Sequence, residues 1–68
     1  MLTEPTIEER VEAAEAALHA YEVAKPTDPD SLLVDLLTDL MHWAHARGRA
    51  FDNAVRVAQN HYAAEQHN

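Results

Sequence analysis

The segment Ser31–Arg47, SLLVDLLTDLMHWAHAR, holds most of the large apolar side chains in a chain of 68 residues. At about 100° per residue, Trp43, Leu36, Leu32, Leu40, Leu33, Ala44, Leu37, Met41 and Val34 fill an arc of roughly 200° on a helical wheel. Asp35, Asp39, Thr38, His42 and His45 occupy the remainder. An ordinary surface helix carries an apolar stripe of about 100° or somewhat more. This helix therefore needs neighbours on two sides. A strand is excluded because the apolar run does not alternate and is far longer than typical strands. A membrane span is excluded because Asp35 and Asp39 interrupt the run. No stretch reaches the roughly 18 uninterrupted apolar residues that a span requires.

The flanks carry helix start and stop signals. Asp28-Pro29 places a side-chain acceptor at the N-cap and a proline at the first helical position, where its missing N–H does no harm. Asp30 adds negative charge in the first turn, which the helix dipole favours. Arg47 falls in the last turn, and Gly48, the single glycine, follows it as a left-handed closing residue.

Working outward, Thr6-Ile7-Glu8-Glu9 is a capping-box pattern. It predicts a first helix over about 6–24, with Ile7, Val11, Ala14, Leu18 and Tyr21 stepping by four and three along a narrow seam. Glu8, Glu12, Glu15 and Glu22 form an acidic band beside that seam. Lys25-Pro26 ends the helix, since proline disfavours helical geometry in the residue before it. The turn that follows is too short for a crossover, so the first and second helices are expected to pair as an antiparallel hairpin. Past Gly48, a third helix is predicted over about 50–65, with Phe51, Val55, Ala58 and Tyr62 along one face. Ala50 and Phe51 cannot cap it, so fraying or a 3₁₀ turn is expected at its start. Residues 1–5 and 66–68 read as loose ends. The expectation is one all-α domain, a three-helix bundle with helices over about 6–24, 28–47 and 50–65.

Composition limits what holds such a bundle together. A chain this short buries only about 60% of its unfolded surface, and without cysteine it has no disulfides. Helix packing or oligomerisation must supply the stability. The outer helices are rich in alanine and too narrow in stripe to cover the central one. Apolar surface should remain around Leu32, Leu36, Leu40 and Trp43, and a homodimer is its simplest user. Trp43 is the better anchor candidate, though an aromatic of this kind can equally fill a core.

The net charge is −7 and uneven. Residues 1–40 hold ten acids against Arg10 and Lys25; residues 41–68 hold Asp52 and Glu65 against Arg47, Arg49 and Arg56. Nucleic acid and anionic lipid repel an acidic chain, whereas a basic protein partner suits it. The acidic band Glu8, Glu12, Glu15 and Glu22 is the surface for such a partner; its plain alternative is a face charged for solubility. The first ten residues lack a signal-peptide apolar region, and the absence of cysteine fits a cytoplasmic protein.

Catalytic signals are lacking. There is no glycine-rich phosphate loop, a bundle this small has little room for a dry concave site, and no cofactor is implied. The chain reads as a non-enzyme. Asp35, Asp39, His42 and His45 share the polar side of the central helix at spacings that can hold a divalent ion. That set is the metal-binding alternative, set against a solvated polar face. A second alternative is a small DNA-binding regulator using His42, His45, Arg47, Arg49, Arg56 and His61, with the overall charge against it.

The segment from Asp35 to Glu65 also resembles a group of small helical proteins carried by bacteriophages, plasmids and other bacterial mobile elements. The resemblance rests on Asp35 to Leu40, His42-Trp43, Gly48, Phe51 with Ala54, and His61-Tyr62 with Glu65. Ala50 departs from the pattern, which favours a capping Asp there. The resemblance implies no reaction and no catalytic residue. It implies a mobile-element source, where small acidic proteins such as the anti-CRISPR proteins bind and block a host protein.

Overall fold

Thr6 caps the first helix. Its hydroxyl accepts from the Glu9 amide at 3.1 Å, and the Glu9 carboxylate accepts from the Thr6 amide at 2.9 Å. Two donors that no helix can satisfy internally are thereby paired. The computed structural model describes residues 6–66, and α1 runs over Ile7–Ala24. Lys25 closes it by donating to the Tyr21 carbonyl at 2.8 Å. The next element is a single 3₁₀ turn, Pro29–Ser31, which leads directly into α2, Leu32–Ala46. The third helix, α3, spans Phe51–Gln66. Among the described residues all regular structure is helical.

The α2 boundaries follow from local chemistry. Asp28 is extended, and its carboxylate accepts from the Asp30 amide at 3.0 Å. The Ser31 amide donates to the Asp28 carbonyl at 2.8 Å, three residues back, which gives the first turn its tight 3₁₀ form. At the other end Gly48 takes φ +68°, a conformation that costs other L-residues energy. Its amide donates to the His45 carbonyl at 3.3 Å, and the Arg49 amide reaches back to the Ala44 carbonyl at 2.8 Å. These two bonds make a Schellman closure.

The 3₁₀ turn expected at the start of α3 is absent there. The Ala54 amide donates to the Ala50 carbonyl at 3.1 Å, so α3 begins with α-helical bonding despite Ala50's lack of a capping side chain. The tight turn lies instead before α2, where Asp28 and Pro29 impose it. Gln66, expected in the loose tail, is the last residue of α3; residues 1–5 and 67–68 lie outside the described residues.

Two compact units divide the chain, one ending at Leu37 and the other beginning at Thr38, with α2 contributing to both. In the first unit the half-buried side chains are Leu18, Tyr21, Glu22, Thr27, Leu32, Asp35 and Leu36. All of them lie in the last two turns of α1, the connection, or the first two turns of α2. The Thr27 hydroxyl donates to the Asp35 carboxylate, tying that connection to α2. The first turns of α1 are more open, with Ile7 and Val11 exposed. In the second unit Ala44 is the one buried residue among those described, at 3% exposure. Phe51 and Val57 of α3 are half-buried, whereas Tyr62, expected to continue the Phe51 face, is exposed.

Candidate functional site

The surface of α2 is the feature that sets this chain apart. Its sequence is apolar over about half the circumference, and its neighbours leave much of that uncovered. Leu33 is 61% exposed, Val34 63%, Leu37 44% and Met41 54%. These positions step by four (33, 37, 41) and by three then four (34, 37, 41), so they form one stripe along the helix. Water-facing leucines occur singly on any protein; here four large apolar side chains lie together on one side of one helix.

Of the four interface candidates, Leu40 and Trp43 are exposed, and Leu32 and Leu36 are half-buried. Leu32 and Leu36 lie four residues apart on the side of α2 that also carries the half-buried Asp35 and Asp39. The open stripe of Leu33, Val34, Leu37 and Met41 is rotated from them by about 60° or more around the helix. Sequence reasoning placed all eight residues in one apolar arc. The signal for choosing among them is where the first unit buries α2, and that depends on packing.

Beside Trp43, the second unit has a shallow apolar recess of about 220 Å³ walled by Leu40, Trp43, Ala44, Phe51 and Ala54, with Arg49 at its rim. A second recess of about 260 Å³ has His45, Arg49 and Asp52 among its walls, with Met41 and Phe51. Both are open to solvent, so neither provides the dry, enclosed setting that shifts a proton-transfer group toward catalysis.

On α1, Glu8, Glu12 and Glu15 are exposed, and Glu22, the fourth member of the acidic band, is half-buried. Glu9 lies outside the band. The Thr6 amide and then the Thr6 hydroxyl hydrogen-bond its carboxylate and hold its pKa below the usual glutamate range.

The metal candidates do not converge. Asp35 is engaged by Thr27 and Asp39 is half-buried, while His42 and His45 are exposed. Among the described residues no three His, Cys, Asp or Glu side chains form a group that could hold an ion. Of the basic set, Arg56 donates to the Asn53 side-chain oxygen at 2.6 Å within α3, and Arg47, Arg49 and His61 are exposed. No helix among the described residues is long and apolar enough to cross a membrane. Comparison of the chain with protein-family models, characterised proteins and solved structures finds no significant match.

Proposed function

We infer that this chain is a non-catalytic, cytoplasmic protein-interaction module that associates with itself through α2 and offers the acids of α1 to a basic partner. One observation carries the self-association: Leu33, Val34, Leu37, Leu40, Met41 and Trp43 of one 15-residue helix all remain exposed, and Ala44 alone is buried among the described residues. A lone protomer so constituted forgoes most of the apolar burial that stabilises small domains. A two-fold axis lets one patch cover its own copy without any further protein. In this reading α1 and α2 form the antiparallel hairpin that their short connection favours.

Covering each half-exposed side chain gains roughly 1 kcal/mol. Association itself costs several kcal/mol. The balance places self-association in a concentration-dependent range rather than as a permanent complex.

Glu8, Glu12 and Glu15, spaced by four and three and exposed, suit a partner that presents lysines or arginines, such as the nucleic-acid-binding surface of a host protein. The resemblance of residues 35–65 to small mobile-element proteins suggests an inhibitor encoded on such an element as the biological setting.

The unfolding midpoint tests the self-association. Thermal melts across low to high micromolar chain should show a midpoint that rises with concentration, because association stabilises by mass action. A midpoint that stays constant over that range contradicts it.

A further inference from the structure

We propose that the second copy lies on the stripe formed by Leu33, Val34, Leu37 and Met41 with its α2 antiparallel to the first, the two-fold axis passing beside Leu37. This rests on the self-association reading above and specifies its geometry.

The stripe supplies the contact. Its four side chains are exposed, and Leu37 stands midway between Leu33 and Met41. An axis at Leu37 therefore sets Leu33 of each copy across from Met41 of the other, with the two Leu37 side chains meeting at the centre. Unbranched, adaptable Met41 opposite Leu33 fills such a seam without a fixed shape requirement.

Charge fixes the direction. Antiparallel helices oppose the two helix dipoles favourably, and parallel ones do not. The ends of α2 carry opposite charges. Asp28 and Asp30 are exposed just before it, and Arg47 and Arg49 are exposed just after it. With the axis at Leu37, position 44 of one copy lies level with position 30 of the other; Ala44 itself is covered by its own chain, so the contact falls to the exposed arginine just beyond it. Helical side chains lean toward the N-terminus, so Arg47 of one copy reaches Asp30 of the second. Each contact occurs twice, as a two-fold interface requires.

Because the chain has no cysteine, engineered thiols report the register directly. Leu33→Cys, Leu37→Cys and Met41→Cys chains are oxidised with copper phenanthroline, each alone and with the 33 and 41 variants mixed. A disulfide requires Cα atoms about 4.4–6.8 Å apart. The expected result is efficient cross-linking of Leu37→Cys with itself and of Leu33→Cys with Met41→Cys, and little of either outer variant with itself. Self-linking of both outer variants reveals a parallel pair and overturns the proposal. A native chain of dimeric mass with none of these links overturns the surface while leaving self-association standing; a native chain that is monomeric throughout removes both. A charge swap guards against a cysteine variant that folds poorly. Asp30→Arg and Arg47→Asp should each weaken the dimer several-fold, and the double variant should recover most of that loss. Additive losses contradict the pairing.

Discussion

The Thr27 hydroxyl donates to the Asp35 carboxylate across eight positions of sequence, joining the α1–α2 connection to the first turn of α2. The bond lies in the half-buried part of the first unit, where a carboxylate without a partner would lose hydration for nothing in return. Thr27→Val keeps the side chain's shape and removes the donor. It should destabilise the chain by about 1 kcal/mol in urea unfolding, more than a surface substitution commonly does. A change indistinguishable from zero would show that Asp35 is served by water instead.

That engagement also bears on metal binding. With Asp35 engaged by Thr27 and His42 and His45 at exposed positions, excess zinc should leave the melting midpoint unchanged. A rise of several degrees that His42→Ala with His45→Ala abolishes would revive a metal site.

Gly48 at φ +68° should resist substitution for a backbone reason alone, since a Cβ there would meet nothing within 4 Å. Gly48→Ala is expected to cost about 1 kcal/mol. Gly48→Asn should cost less, because asparagine tolerates the left-handed region better. Equal stability of all three chains would mean that α2 ends in another way.

The capping box predicts a pH dependence with a definite sign. The Glu9 carboxylate is favoured in its charged form by the Thr6 amide and hydroxyl, so its folded pKa lies below its unfolded one. The stabilisation is complete above the ordinary glutamate pKa and is lost as pH falls through the depressed folded value. Circular dichroism should show α1 losing helix at acid pH. Gln can fill the same role in the box without titrating, so Glu9→Gln should weaken this acid-dependent loss. An identical acid profile for both chains would exclude Glu9 as its source.

Much of this architecture is readable in the sequence because it is local. Thr6 with Glu9, Asp28 with Pro29, and Gly48 each act on backbone groups within three or four residues, and the structure places all of them at helix ends. Ala50 lacks a capping side chain, which predicts a weak α3 start, yet its carbonyl still accepts the first helical bond from Ala54. The division of the α2 arc was not readable. Leu32 and Leu36 are equivalent to Leu33 and Leu37 in composition, and which pair becomes half-buried depends on where the first unit packs rather than on any spacing within α2. Likewise, Tyr62 continues the Phe51 periodicity but stands exposed, since periodicity identifies a face and not how much of it finds cover.

The most direct measurement is sedimentation equilibrium of the intact chain from low to high micromolar concentration, alongside Leu37→Glu. The native chain should approach twice its 7.6 kDa mass as concentration rises, and the variant, with a charge at the centre of the exposed stripe, should stay near 7.6 kDa while retaining its helicity. A single 7.6 kDa species for the native chain across the whole range would contradict the account.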